Sequence, residues 1–563
     1  MQTIGIGIQN FETIRKEKIF YIDKTDFIRE WWENKDSVTL IARPRRFGKT
    51  LTMDMLEKFF SAKYAGRGDL FEGLKIWKTE TYQKLQGTYP VIFLSFANVK
   101  EKTYAAAQKR IYQILTDLYM EYSFLRNPLI LQEQNLKFFD SVNTDMDETV
   151  ATIAIHKLCG FLQQYYGKNV IILLDEYDTP MQEAYVNGYW DKFTSFIRSM
   201  FNASFKTNPY LERGIMTGIT RVSKESVFSD LNNLKVVTAT SEEYADKFGF
   251  TEEEVFTVLE DNGLSDKKSE IKTWYDGFTF GKIRDIYNPW SIINYLDTGK
   301  LGTYWANTSS NNLVSKLLRE GNSTIKQDFE HLMKGESLEK EIDEQIVYNQ
   351  LDSQENAIWS LLLASGYLKV NSYHTQMSES GDWEEKYELR LTNFEVKTMF
   401  RKMIKSWFGN AVSSYNGFTK ALLTGDLKAM NAYMNRVALQ TFSFFDSGNH
   451  PSEDTQPERF YHGFVLGLMI ELSNRYALIS NRESRFGRYD VMLEPKNKED
   501  DAIILEFKVL DSDDEKDLSE TVHSALKQID DMQYETALTS KGIPREKIKK
   551  YGFAFQGKKV LIG

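Results

Sequence analysis

SVTLIARPRRFGKTLTMDML, from Ser37 to Leu56, sets an apolar run against a loop of arginines and one glycine and then against an amphipathic stretch. The run reads as a buried strand, the residues from Thr50 onward as a helix, and RPRRFGKT, Arg43 to Thr50, as the loop between them. Such a loop turns its backbone N–H groups and the N-terminus of the following helix toward one point, which is an arrangement that binds phosphate. The pattern G-x-x-x-x-G-K-[ST] is met at Gly48, Lys49 and Thr50, while Arg43 stands where the pattern has its first glycine. The same residues also fit an ordinary strand-to-helix turn with a surface lysine, so the reading needs support from elsewhere in the chain.

NVIILLDEYD, Asn169 to Asp178, supplies it. An unbroken apolar run from Val170 to Leu174 leads into Asp175 and Glu176, as in a buried strand that delivers carboxylates to a phosphate site. Taken together, Lys49 reaches the β and γ phosphates of a nucleotide and Gly48 lets the backbone approach. Thr50 and Asp175 hold magnesium, and Glu176 polarises the attacking water. Plain solvated loop carboxylates are the alternative for Asp175 and Glu176. RGIMTGITRV, Arg213 to Val222, ends another apolar run in Thr217, Thr220 and Arg221. Polar groups there can sense the γ phosphate or orient water, and an arginine can neutralise developing charge in the same or a neighbouring subunit; a strand end capped by polar residues is the alternative. Arg45 and Arg46 divide between phosphate contact, subunit contact and ordinary solvated charge. ATP and Mg2+ are the cofactors implied.

Working outward, YPVIFLSF (Tyr89 to Phe96) adds a strand, and helical stretches such as TLTMDMLEKFFSAKY and AAAQKRIYQILTDLYMEYSFL lie between strands. Apolar strands alternating with helices predict an α/β fold with a parallel sheet buried on both faces, over residues 1–240. From 241 to 430 the reading changes to a mainly helical connector or lid. It includes SEEYADKFGFTEEEVFTVLEDNG, with Ser241 or Thr251 at a helix N-terminus, and NAIWSLLLASGYLKV. Residues 431–563 read as a separate α/β unit. A helix, PERFYHGFVLGLMIELSNRYA, precedes strands GRYDVMLEP and DAIILEFKVL joined through KNKED; a helix from Leu518 to Leu538 and one last strand, YGFAFQGKKVLI, follow.

At 563 residues the chain exceeds the size at which single cores stop growing, and 42% hydrophobic residues against 27% charged exclude a disordered chain. A net charge of −10 argues against a generally basic nucleic-acid coat and leaves room for a local basic groove. The single cysteine, Cys159, excludes an intrachain disulfide, and the six scattered histidines lack zinc-site spacing. No signal peptide is evident and no stretch approaches the roughly 20 apolar residues of a membrane span. The expectation is a cytoplasmic protein without a membrane partner.

FYIDKT, ARPRRFGKTL, LLDEYDTP, TGITRVSKESVFSDLNNL, WYDGFTFG and YNPWSI, read in that order from about Gly5 to Asn294, resemble the AAA-ATPase-like family of bacterial and archaeal proteins. Members are commonly joined to a C-terminal nuclease-like domain. The RPRRFGK form of the loop is usual in that family. The resemblance implies a RecA-like P-loop ATPase core over residues 1–240; RecA-like cores often complete their site across subunits, so homo-oligomerisation stays open.

The C-terminal unit has its own constellation. Asp490 lies in GRYDVMLEP, and Glu506 and Lys508 share a face of DAIILEFKVL because they are two residues apart on a strand. Hairpin pairing can bring Asp490 beside them. Two carboxylates that hold Mg2+ (or Mn2+) and a lysine that positions the nucleophile are what phosphodiester hydrolysis needs. E-x-K on a solvated face is the common alternative; here it sits inside apolar runs, where unpaired charge is costly. ERFYHGFVLGL, SRFGRYDVML, IILEFK and ALKQIDDMQY, about Glu458 to Phe555, resemble the PD-(D/E)XK nuclease superfamily, with its restriction-endonuclease-like α/β fold. By that resemblance Glu458 is the helix carboxylate near the metal, with Glu483 a weaker candidate, and Gln528 and Tyr534 line the site. The exonuclease spacing Q-x-x-x-Y is not kept. His462 is better read as a packing residue than a ligand. The leading expectation is an ATPase coupled to cleavage of nucleic acid, DNA or RNA. A nucleotide-switched binding protein with a non-catalytic nuclease-like domain is the alternative.

Overall fold

Strand β1 (Val38–Ala42) is buried along its whole length and leads directly into the loop at Arg43. It belongs to a computed structural model that describes residues 3–222, 228, 231–306, 312–320, 323–346, 355–377, 383–407, 412–445, 472, 475–480, 483–484, 487–488, 491–497, 499–511, 515–556 and 559–563. The chain divides into two compact units, Met1–Glu320 with Asp328–Met399, and Gly321–Gln327 with Phe400–Gly563.

In the first unit, β1 joins β2 (Val91–Ser95), β3 (Val170–Asp175) and β4 (Leu211–Gly218); after the short β5 (Arg221–Val222), β6 (Leu234–Val237) completes the sheet. The order is β2-β3-β4-β1-β6, all parallel. All six residues of β3 are buried, as the apolar run predicts for a strand covered on both faces. The register pairs Ile41 with Thr217 and Ser95 with Asp175, so the carboxyl ends of β1, β2, β3 and β4 finish along one edge. That edge of a doubly covered parallel sheet is where ligands bind. Long helices, including Tyr104–Glu121 and Glu148–Tyr166, bury Ile111, Leu115, Ile155 and Leu158 in the core that also holds Ile172 and Leu174.

Residues beyond β6 are mainly helical, as expected, and also carry strands that the sequence did not announce. β7 (Phe250–Thr251), β8 (Phe278–Phe280) and β9 (Ile283–Tyr287) form one small antiparallel sheet. β10 (Leu338–Lys340), β12 (Leu368–Met377) and β13 (Trp383–Leu391) form another, and β11 (Gln345–Ile346) pairs with β5. The β12–β13 hairpin escapes sequence reading because Leu368 and Leu389 alone among its strand residues are buried, which erases the period-2 signal. In SEEYADKFGFTEEEVFTVLEDNG only Glu252–Asp261 is helical. Thr251 caps it in a full capping box with Glu254, whereas the Ser241 hydroxyl accepts a hydrogen bond from the Thr238 amide and caps no helix. NAIWSLLLASGYLKV is divided between the helix Glu355–Ala364 and the start of β12.

In the second unit, β14 (Tyr476–Ser480), the short pair β15 (Glu483–Ser484) and β16 (Gly487–Arg488), β17 (Val491–Pro495), β18 (Ala502–Val509), β19 (Ile548–Gln556) and β20 (Lys559–Ile562) follow one another. The main sheet has the order β14-β17-β18-β19-β20, with β18 and β19 parallel across the helix Leu518–Asp531. Ile503, Leu505 and Phe507 pack on one face with Leu422, Met430 and Met434; Ala502 and Ile504 face Ile529, Tyr534 and Leu538 on the other. The single last strand read from YGFAFQGKKVLI is two antiparallel strands, with Phe553 opposite Ile562 and Gln556 opposite Lys559. Apolar residues on both arms hid the reversal. The helix read from Leu518 to Leu538 ends at Asp531, with a separate turn at Thr536–Thr539. PERFYHGFVLGLMIELSNRYA lies almost wholly outside the described residues.

Candidate functional site

Gly48, at φ 82°, is the N-cap of the helix Lys49–Phe60, and this left-handed conformation is what the loop needs glycine for. Arg43 has a different task. It is fully buried, Nη1 donates to the carbonyls of Ala42 (3.0 Å) and Thr238 (2.6 Å), and its guanidinium carbon lies 4.4 Å from the Phe280 ring centroid. Burial lowers its pKa to about 9. Arg43 thus ties the end of β1 to the residue after β6, and the loop turns without the first glycine of the general pattern.

Lys49 is buried, its Nζ donating to the carbonyls of Arg43 (2.8 Å) and Pro44 (2.9 Å). Burial lowers its pKa, opposed by the nearby charges of Glu176, Asp178 and Asp175. The Thr50 hydroxyl donates to Asp175 Oδ2 at 2.7 Å, and the Thr217 hydroxyl to Oδ1 of the same carboxylate at 2.5 Å. Burial raises the Asp175 pKa, and those two hydrogen bonds work against the rise. A hydroxyl and a carboxylate this close are a donor set that suits Mg2+ with its remaining positions filled by water and phosphate. Glu176, at φ 50°, carries its carboxylate 3.1 Å from the Thr179 hydroxyl, which donates to it.

These groups meet at a cavity of about 550 Å³. Arg45, Arg46, Gly48, Lys49, Thr50 and Glu176 line it, together with Lys24 and Lys100, while Ile8, Ile19, Phe250 and Ile293 make an apolar wall. A cationic end beside an apolar one suits a nucleotide. Thr217 is linked to the cavity through Asp175. Arg221 is elsewhere: it lines a separate small cavity with Thr238, Glu344 and Ser360, and burial lowers its pKa.

In the C-terminal unit Val491, directly after Asp490, pairs antiparallel with Leu505, directly before Glu506. Glu506 is buried and accepts a hydrogen bond from Gln528 Nε2, on the helix that crosses the sheet. Lys508 follows on the same strand face, half-buried. Tyr534 belongs to the apolar cluster with Ile504 and Ile529. Glu483 is in β15. Glu458, His462 and Asp490 lie outside the described residues. Of the carboxylates read as metal ligands in this unit, Glu506 and the weaker candidate Glu483 are therefore the described ones.

A model of the predicted AAA-ATPase family matches residues 5–228, and one of the PD-(D/E)XK nuclease superfamily matches residues 456–563. The chain joins an AAA-ATPase-like domain to a PD-(D/E)XK-superfamily domain. It is also 24% identical, over 463 residues, to an "Uncharacterized protein in vnfD 5′ region" of Azotobacter chroococcum mcd 1, a match covering 82% of this chain and 80% of that one.

Two carboxylates at these sites were missed by sequence reading. Asp178 is buried behind the AAA-ATPase-like site and accepts from the amides of Ile219 and Thr220 at 2.9 Å each and from the Thr220 hydroxyl at 3.0 Å. Burial raises its pKa, against those hydrogen bonds. It fastens the end of β3 to the end of β4. Its place in LLDEYDTP was visible, but its partners come from another strand. In the PD-(D/E)XK-superfamily domain Glu515 accepts from the Thr521 hydroxyl at 2.5 Å. Burial would raise its pKa, but the hydrogen bonds from Thr521 and Ser524 and the charge of Lys508 hold it below the ordinary value. Among the described residues no helix is long and apolar enough to cross a membrane.

Proposed function

We propose that the N-terminal cavity binds and hydrolyses ATP and that the C-terminal domain hydrolyses nucleic-acid phosphodiesters under its control. The observation that carries the first half is the joining of Thr50, Asp175 and Thr217 beside a cavity lined by Lys49 and Glu176. Mg2+, held by Thr50 and Asp175, would supply positive charge to the triphosphate. The rest belongs to the chain. Lys49 and the N–H groups at the start of the helix Lys49–Phe60 bind and orient phosphate oxygens. Glu176, steadied by Thr179, takes the proton of the attacking water. Thr217 orients Asp175, and Asp178 keeps β3 and β4 in step. Arg45 and Arg46 add positive charge at the cavity wall, and Arg221 holds β5 to the segment around Glu344.

For the second half the support is a buried carboxylate, Glu506, and a lysine, Lys508, on one strand face within a segment matched by the nuclease superfamily. Asp490 and Glu458 are the proposed further carboxylates, and Gln528 the residue that orients Glu506. Mg2+ or Mn2+ is the metal this set suits.

Phosphate release from ATP, with and without DNA or RNA, tests the first half on wild type, Lys49→Ala and Glu176→Gln. Release at the wild-type rate by both variants would refute it. Glu176→Gln that still binds ATP without turnover supports it. Divalent-metal-dependent degradation of a nucleic-acid panel tests the second half and is expected to vanish in Asp490→Ala and Lys508→Ala. Binding of ATP and nucleic acid with neither reaction in wild type would turn the reading to a nucleotide-switched binding protein.

A further inference from the structure

Arg46 sits in the phosphate loop at φ 65°, a conformation a side-chain-bearing residue adopts only when its surroundings hold it there. The holding groups lie far along the chain. The carbonyl of the preceding residue, Arg45, accepts from Asn288 Nδ2 at 3.2 Å and from Trp305 Nε1 at 2.9 Å. Asn288 is buried, and its Oδ1 accepts from the Trp290 amide at 2.9 Å, capping the helix Pro289–Thr298. One asparagine therefore fixes both the loop backbone and the start of the helix that carries Trp290. Across that junction the Arg46 guanidinium carbon lies 4.3 Å from the Trp290 ring centroid. Arg46 and Trp290 both line the cavity with Gly48, Lys49 and Thr50, and among the described residues Arg46 makes no ion pair with a carboxylate.

We propose that Arg46 and Trp290 form an exchangeable contact that reads the polyphosphate: the guanidinium leaves the indole face for phosphate oxygens of a bound nucleoside triphosphate, while Asn288 and Trp305 keep the loop backbone in place. This rests on the nucleotide reading of the same cavity and extends it to residues outside 5–228. The exchange follows from relative strength. A cation over an exposed aromatic face is a weak partner, and a guanidinium bound to phosphate by charge-assisted hydrogen bonds is a stronger one. The stack competes with the nucleotide, so affinity for a triphosphate is set partly by Trp290.

The test is binding of the nonhydrolysable analogue adenylyl imidodiphosphate with Mg2+, measured by calorimetry on full-length wild type, Trp290→Leu, Arg46→Ala and the double variant. AMP serves as the control that lacks β and γ oxygens. Trp290→Leu is expected to tighten analogue binding by about two- to fivefold when Arg46 is present and to change nothing in the Arg46→Ala background. Arg46→Ala alone is expected to weaken it by about tenfold, with AMP little affected. Trp290→Phe keeps a ring and guards against misfolding of the leucine variant; its effect has the same sign and is smaller. An equal effect of Trp290→Leu in both backgrounds, or weaker binding, overturns the exchange and leaves Trp290 as cavity wall. If wild type binds neither nucleotide, the nucleotide reading of the cavity itself falls, which is a distinguishable result.

Discussion

Restoring the general phosphate-loop pattern by Arg43→Gly should damage this protein rather than improve it. The substitution removes two short hydrogen bonds from a buried guanidinium, to the carbonyls of Ala42 and Thr238, a long and weak one to the carbonyl of Glu243 (3.4 Å), and the contact with Phe280. Each short charged hydrogen bond contributes about 1.5 kcal/mol and the ring contact about 1 kcal/mol, a gross loss of about 4 kcal/mol. Relief of burying the charge, whose cost is visible in the pKa lowered to about 9, offsets part of this, leaving a net loss of about 2–3 kcal/mol. Arg43→Met fills the space without the charge and should lose about half as much. Urea unfolding followed by tryptophan fluorescence measures it, because every tryptophan except Trp407 lies in the N-terminal unit. An Arg43→Gly protein within about 0.5 kcal/mol of wild type that binds ATP more tightly would refute the assignment of Arg43 to the scaffold.

Gly218→Ala would put a Cβ 2.7 Å from Asp178 Oδ1 and from the Tyr177 ring, so it should destabilise the end of β4 and lower ATP turnover more than ATP affinity; steady-state kinetics and a thermal melt check both. Glu395 is buried, and burial raises its pKa to about 7 from an ordinary value of 4.5, against hydrogen bonds from Ser291 and backbone amides including that of Ala306. The folded protein thus keeps a proton that the unfolded chain releases between those values. The stabilisation is complete below pH 4.5 and falls by roughly 3 kcal/mol as pH rises through 7; Glu395→Gln should flatten this slope in urea unfolding at pH 5 and pH 8. Gln528→Leu removes the donor to the Glu506 carboxylate and should weaken metal binding at the C-terminal site by about tenfold, read by manganese titration, with ATP binding unchanged.

The parallel sheet and its carboxylate-bearing edge were legible because β1, β3 and β4 are buried on both faces and so read as unbroken apolar runs. Gly48, Lys49, Thr50, Asp175 and Glu176 were singled out the same way, and the structure gathers them at one edge of the sheet: each lies at a strand end or helix start, where local pattern and chemistry coincide. The hairpin β12–β13 was not legible, since Leu368 and Leu389 alone are buried and leave no alternation to read. Asp178 was in plain view, but nothing local says that its acceptor oxygen serves Ile219 and Thr220.

By itself, then, the sequence determined the fold class, the buried strands β1, β2, β3 and β4 and the strand–loop–helix unit in which Gly48, Lys49 and Thr50 lie, because burial writes its period into consecutive residues. Only the tertiary structure decided that Arg43 is scaffold, that Arg221 lies apart from the cavity, and that Asn288 and Trp305 hold the carbonyl of Arg45. Those are contacts between residues some 200 or more positions apart, whose partners are chosen by sheet order and packing and leave no trace in local composition.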